Sequence, residues 1–427
     1  MTRVVRRSAR LCGEVIVPGD KSITHRAMLI GAIADGWSEV HGALNAGDSQ
    51  STMACLNELG VETVKRDGVV RIHGRGLRGF SPPSKVLDAG NSATTLRLLT
   101  GLLVGQRFDS TITGDASLLR RPMKRIIDPL SQMGARVNGT STFAPPLSIR
   151  AVDSLRGIEY TLPLPSAQVK SAIIFAGLYA EGVTRITEAV PSRDHTERML
   201  GLQVEQVGEK KVIEVRGGVR VGPKSRTVPG DLSSAAYFLV GASLIPGSEL
   251  LLRNVCMNPT RTGVIDVLRS MGATILVENE RTVDCEPTAD LIVKSSQLMT
   301  GFVTRGSVVP NIIDEIPALS VAAACARGSW EVRDAADLRN KESDRIRSTV
   351  SNLRALGAAV EEYPDGFLIE GGSLLAGATV RSFGDHRIAM MCGILGLLAK
   401  GETEVEGADV AEISYRDFWG ILKNLSS

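Results

Sequence analysis

Apolar and polar positions fall into a block pattern that recurs six times along the chain. Each block opens on a polar turn and a small or hydroxyl residue, runs through mostly apolar positions and stops at glycine. The blocks begin at Asp20, Asn91, Pro165, Asp231, Asp314 and Asp385, with starts 71, 74, 66, 83 and 71 residues apart. Self-similarity on that scale marks a repeated supersecondary unit. A polar opening before an apolar stretch predicts an N-capped helix, and the closing glycine predicts its C-terminal end. Small residues at spacings of three and four predict close packing against other buried helices. A second helix is predicted after each, ending around Gly60, Gly134, Gly201, Gly272 and Gly357 and running into a strand. The sixth such helix, Asp417–Leu425, has no strand after it. Strand-like stretches at Arg3–Arg7 and Gly13–Val17 open the chain and are predicted to complete that sixth unit, so that both ends share one domain.

The tetrapeptide Val-Pro-Gly-Asp occurs at 17–20 and again at 228–231, dividing the chain into stretches of 211 and 216 residues. Two nearly equal halves joined by two Pro-Gly crossovers predict an α/β protein of two similar domains on a double-stranded hinge. Residues 1–18 plus 232–427 form one predicted domain and residues 19–231 the other. A length of 427 residues agrees, being too great for one core.

Charge narrows the function. Against 49 Lys and Arg stand 47 Asp and Glu, for a formal charge of +2, which excludes a dominant basic nucleic-acid footprint and an acidic tail. Aromatic content of 4% argues the same way against an RNA-end enzyme. The longest apolar run, Ile388–Ala399, has 12 residues, too short to cross a bilayer. The basic opening Thr2–Ser8 lacks the apolar stretch of a secretory signal. Cys12, Cys55, Cys256, Cys285, Cys325 and Cys392 lie far apart, predicting free thiols in the cytoplasm. Gly74–Gly79 satisfies G-x-G-x-x-G, but Phe80-Ser81-Pro82-Pro83 follows where a helix must open. Gly19-Asp20-Lys21-Ser22 lacks the adjacent Gly-Lys of a phosphate loop, and the five histidines show no metal-ligand spacing. No cofactor and no metal are expected.

The predicted helix starts carry cations: Lys21 and Arg26 in the first, Arg97 in the second, His386 and Arg387 in the sixth. Arg120-Arg121 and Lys341-Glu342-Ser343-Asp344-Arg345 lie in loops nearby. Singly, each is a surface charge. Recurring where helix N-termini offer unpaired N–H groups, they predict a cleft for anions.

Nine strings carry a resemblance: 18–26, 87–99, 114–123, 165–172, 192–195, 229–239, 311–319, 340–346 and 383–391. Together they resemble the enolpyruvyl transferase family over essentially the whole chain, on the branch that serves shikimate 3-phosphate. The resemblance implies two domains, each of three βαβαββ units in an inverse α/β barrel-like arrangement. It implies transfer of the enolpyruvyl group of phosphoenolpyruvate to the 5-hydroxyl of shikimate 3-phosphate, with phosphate released. It assigns Ser22, Arg26, Ser166, Ala167, Gln168 and Ser192 to shikimate 3-phosphate, joined by Lys21, Asp314 and Lys341. It assigns Ala93, Arg121, Gln168, Arg345 and Arg387 to phosphoenolpyruvate, with Lys21 between the ligands and Arg97 in support. Asp314 is implied as the base, Glu342 and Lys341 as the proton-transfer pair, and His386 beside the departing phosphate. The small-molecule substrates are the implied partners, with no nucleic acid, no membrane and a monomeric chain.

Five departures qualify that pattern. Ala167 replaces a serine common in the family, Asp337 an asparagine, and Arg416 stands near the place of a C-terminal lysine. Ala93 replaces the glycine of glyphosate-sensitive members, and Leu98 a frequent proline. An added methyl at 93 implies a class II enzyme that glyphosate inhibits only weakly. Two rivals remain. The sister activity on UDP-N-acetylglucosamine expects a cysteine or aspartate before the Arg121-Pro122 pair, where this chain has Ala116. A non-catalytic binding protein for a phosphorylated metabolite would have no need of Asp314 and the Lys341-Glu342 pair.

Overall fold

The computed structural model describes residues 1–426 and divides into two compact units. One is Met1–Pro18 together with the chain from Pro229 onward; the other is Gly19–Val228. The second crossing therefore falls three residues ahead of the boundary read from the sequence. Backbone pairing explains the difference, since Gly230 N–H donates to Asn254 and Asp231 N–H to Pro18, both in the first unit.

Within each unit the repeat is strand, central helix, strand, outer helix and two strands. In the Gly19–Val228 unit, Leu87–Asp88 leads into the helix Ala93–Leu103, then Ser110–Thr113, the helix Lys124–Gln132, Arg136–Asn138 and Leu147–Arg150. The first strand lies parallel to Ser110–Thr113, which pairs antiparallel with Leu147–Arg150, and that strand pairs with Arg136–Asn138. The same order recurs around Val183–Glu188 and, in the other unit, around Ser329–Val332. The fold is the repeated α/β architecture expected.

The N-terminal strands divide between two sheets. Thr2–Arg6 pairs antiparallel with Glu402–Glu406 and completes the sixth repeat. Cys12–Val15 instead lies parallel to Glu249–Cys256 and opens the fourth. A parallel pair needs a crossover, and the helix Leu232–Leu244 supplies it. The Gly19–Val228 unit is thus inserted between that strand and its crossover helix, and the chain re-enters where it left, at the Asp231–Pro18 hydrogen bond. Ser225–Thr227, last in the inserted unit, closes its first sheet against Asp35–His41.

Side-chain caps start five of the six central helices. Asp20 accepts from Ile23 N–H at 2.9 Å, Ser92 from Thr95 at 3.1 Å, Ser166 from Val169 at 3.4 Å, Asp231 from Ser233 at 3.2 Å and Asp385 from Arg387 at 2.9 Å. The exception is the helix Ile316–Cys325, which starts behind Glu315 with no side-chain cap. The expected closing glycines are displaced as well. Gly247, Gly328 and Gly401, with φ of 70°, 100° and 96°, sit three residues beyond Leu244, Cys325 and Leu398. The first residues past those helices are extended, so these glycines turn the chain into the next strand.

Leu232–Leu244, Ile316–Cys325 and His386–Leu398 pack together as the core of one unit. In the other, Ala93–Leu103 packs closely on Ala167–Gly177. Gly101 permits that approach: a Cβ there would lie 2.4 Å from the Ala172 carbonyl oxygen and 2.9 Å from its Cα. No single helix among the described residues is long and apolar enough to cross a membrane. The six cysteines are free thiols.

Two stability predictions follow from the buried helices. Gly101→Ala forces the two helix backbones apart and costs about 1–3 kcal/mol; an unchanged midpoint in chemical denaturation contradicts the close packing. His25 is fully buried with Nδ1 2.7 Å from Thr52 Oγ1. Burial lowers its pKa to about 3, with Lys21 and Arg26 adding to the effect and Asp48 opposing it. Between that value and the ordinary one near 6.5 only the unfolded chain binds the proton, so stability falls as pH falls through this window. From pH 7.5 to 5 the wild type should lose about 2 kcal/mol more than His25→Asn. Equal losses in urea titrations of the two proteins contradict a neutral His25.

Candidate active site

Each unit gathers polar residues at the starts of its central helices. In the Gly19–Val228 unit, Lys21 is the first residue of the helix Lys21–Ala32, and its Nζ lies 2.5 Å from Asp48 Oδ2. Asp48 is buried in the first turn of the helix Gly47–Glu58 and anchors the ammonium, which keeps partial exposure. Arg26, one turn on, is buried and ties three helices together. Its Nε donates to Thr196 Oγ1 at 2.7 Å, Nη1 to the Ser22 carbonyl at 3.0 Å and Nη2 to Ser171 Oγ at 2.9 Å. A longer bond of 3.4 Å reaches the Ala167 carbonyl. The cation thus holds Ser22 beside the head of the helix that Ser166 caps.

Gln168 stands between two neighbours, accepting from Arg97 Nη1 at 2.5 Å and donating from Nε2 to Thr94 Oγ1 at 2.9 Å. Thr94 follows Ala93, the buried first residue of the helix Ala93–Leu103. Arg121 is buried behind the turn Leu118–Arg120, two residues before Met123, whose sulfur lies 3.4 Å from Arg97 Nε. Ser192 is buried, and both its N–H and its hydroxyl donate to Glu188. Shared contacts therefore join Ser22, Arg26 and Ala167, and separately Thr94, Arg97 and Gln168, with Ala93 next to Thr94 in the chain.

In the other unit Asp314 is the centre. It precedes Glu315, the residue at the cap position of the helix Ile316–Cys325. Oδ1 accepts from Arg345 Nη1 at 3.1 Å and lies 3.5 Å from Lys341 Nζ; Oδ2 lies 3.9 Å from Arg387. Arg345 also donates from Nη2 to Glu342 at 2.6 Å and from Nε to Asp385 at 2.8 Å. Burial works against the charge of Arg345, but Asp385, Glu342 and Asp314 overcome it and raise its pKa above the ordinary guanidinium range. Burial likewise pushes the Asp385 carboxyl up, and Arg345 more than offsets that, leaving it below the usual range. Arg387 is raised in the same way, with Asp314 opposing burial. His386 is buried as the first residue of its helix. Asp314, Glu342, Lys341, Arg345, Arg387 and Asp385 thus form one connected cluster of charges, with acid and base groups side by side.

The departures have distinct settings. Asp337 lies 3.6 Å from Lys341 Nζ, so this position adds a second carboxylate to that ammonium. Leu98 is a fully buried core residue, and Arg416 is exposed ahead of the helix Phe418–Leu425. Sequence reasoning missed Asp48, Arg193, Lys170, Glu188 and the pairing role of Asp385. Arg193 Nη1 lies 3.4 Å from Ser22 Oγ. A lysine at position 170 inside an apolar helix was the one visible signal. Asp231 caps its helix, as its block predicts, and pairs with Arg261 at 2.8 Å. Among the described residues no group of three or more His, Cys, Asp or Glu side chains is placed to hold a metal ion.

The model of EPSP synthase (3-phosphoshikimate 1-carboxyvinyltransferase) matches residues 5–422. A 3-phosphoshikimate 1-carboxyvinyltransferase of Salinibacter ruber is 50% identical over 430 aligned residues, covering 100% of both chains. One from Bacillus cereus is 48% identical over 419, covering 97% of each. A solved EPSP synthase structure from Acinetobacter baumannii superposes with a TM-score of 0.86 at 43% identity, covering 100% of this chain and 98% of that one. With its fold and whole length matched in this way, the chain belongs to the EPSP synthase (3-phosphoshikimate 1-carboxyvinyltransferase) family of transferases.

Proposed function

We propose that the chain joins phosphoenolpyruvate to shikimate 3-phosphate and that the helix-start residues of its two units divide the work. The observation that carries this reading is Asp314, lodged against Lys341, Arg345 and Arg387, with Glu342 on the same arginine. Two polyanions repel each other, so their joint binding needs fixed cations and helix N-termini. Ser22, Arg26, Ser166, Ala167, Gln168 and Ser192 hold shikimate 3-phosphate. Arg193, held beside Ser22, adds a cation there. Arg121, Arg345 and Arg387 take the phosphate and carboxylate of phosphoenolpyruvate, Gln168 and Ala93 border it, and Lys21 serves both ligands.

The 5-hydroxyl oxygen adds to C2 of phosphoenolpyruvate while C3 gains a proton. Loss of a C3 proton then expels phosphate and restores the double bond. Asp314 takes the hydroxyl proton, Glu342 and Lys341 exchange the C3 proton, and His386 lies beside the leaving phosphate. Holding both ligands with water excluded aligns the reactants for this exchange.

We also infer a class II enzyme of low glyphosate sensitivity. Glyphosate is longer than phosphoenolpyruvate, and the Ala93 methyl is fixed at a buried helix start between the Ser92 cap and the Thr94–Gln168 bond. It should therefore crowd the inhibitor more than the substrate.

Phosphate release requiring both substrates tests the reading; release from phosphoenolpyruvate alone, or none, contradicts it. Asp314→Asn should lower kcat by about 10²–10⁴-fold, and a loss under threefold removes Asp314 as the base. Ala93→Gly should lower the glyphosate inhibition constant at least tenfold while the phosphoenolpyruvate KM changes little. An unchanged constant, or a wild type already inhibited well below that KM, sinks the class II inference.

A further inference from the structure

Lys170 is a cation in the interior of the Gly19–Val228 unit that the reaction above does not use. It projects from the helix Ala167–Gly177, whose other buried positions from Ala172 onward are apolar or glycine. The ammonium is wholly buried, 2.7 Å from Glu188 and 2.6 Å from Glu197, themselves 2% and 4% exposed. Three buried charges are rarely more stabilising than well-packed apolar side chains of the same volume, so stability alone is a poor reason for them.

Geometry supplies another reason. Glu188 Oε2 accepts from Lys170. Oε1 accepts from Ser192 N–H at 3.2 Å and from the Ser192 hydroxyl. Lys170 Nζ also donates to the Ser192 carbonyl at 3.3 Å. All three polar atoms of Ser192 are therefore gripped by the Lys170–Glu188 pair. The next residue, Arg193, reaches Ser22, and Thr196 further along binds both Arg26 and Ser171.

We propose that Lys170, through Glu188 and Glu197, is a positioning residue for the Ser192–Arg193 segment and so for recognition of the substrate's phosphate; this rests on the shikimate 3-phosphate reading above. In the structure the Ser192 hydroxyl donates to Glu188. To donate to a phosphate oxygen it turns away from that carboxylate, while the Ser192 N–H and carbonyl stay anchored. The carboxylate left behind would repel the phosphate, and Lys170 neutralises it at 2.7 Å. Glu197, from the helix His195–Leu200, holds the ammonium from the other side.

The test is steady-state phosphate release by the full chain with each substrate varied at saturation of the other. Lys170→Met should raise the KM for shikimate 3-phosphate at least tenfold and leave that for phosphoenolpyruvate within threefold, with a native circular dichroism spectrum. Glu188→Gln, close in shape and leaving the Lys170–Glu197 pair in place, should raise the same KM at least fivefold and decides the matter should Lys170→Met lose its fold. A KM for shikimate 3-phosphate within twofold of wild type in either folded variant overturns the proposal. So does a parallel rise in both KM values, or a fall in kcat alone, since a merely structural role would produce it. A wild type that releases no phosphate overturns the underlying reading instead, and the two failures are told apart by that first measurement.

Discussion

Carboxylates set against cations near the helix starts are the interaction that recurs in both units, with Arg26, held by hydroxyls and carbonyls, as the contrast. Arg345 carries three carboxylates, Lys170 two, and Lys21 and Arg261 pair with Asp48 and Asp231. Removing one member of such a group leaves an uncompensated buried charge, at a cost of about 3–5 kcal/mol. The side chains are thereby held in place before any ligand arrives. Preset cations suit a transferase that must seat two anions, because little rearrangement remains for the moment of reaction.

The repeat explains how such charges reach helix starts. Five central helices use an Asp or Ser cap, and two of those caps, Asp231 and Asp385, also pair with an arginine. One carboxylate thus satisfies the helix N–H groups and orients a guanidinium. Asp314 breaks the rule. Its helix begins two residues later behind an uncapped Glu315, with Pro317 in the first turn. Asp314 meets Lys341, Arg345 and Arg387. The repeat that departs from the capping pattern is the one whose aspartate we propose as the base.

Much of this was legible in the chain. The polar-then-apolar blocks located the six central helices, because caps and burial act locally on neighbouring residues. The strand exchange was only half legible. Thr2–Arg6 was placed in the correct sheet, but nothing in Cys12–Val15 distinguishes the sheet of Glu249–Cys256 from that of Glu402–Glu406; only the Asp231–Pro18 bond, over two hundred residues apart in sequence, decides it. The glycines at 247, 328 and 401 were misread as helix caps because a turn into a strand demands the same left-handed backbone. Among site residues, cations were visible through their motifs. Their partners Asp48, Glu188 and Asp385 were not, since a carboxylate's pairing depends on which helices the fold brings together.

Division of one anion-binding task between two separately built units is the central claim. Its most direct measure is the KM for phosphoenolpyruvate, at saturating shikimate 3-phosphate, in Lys21→Met from one unit and Arg387→Met from the other. Each should rise at least tenfold, because each removes a fixed cation from the same ligand. A change of less than twofold in either variant would show that its unit takes no part in holding phosphoenolpyruvate.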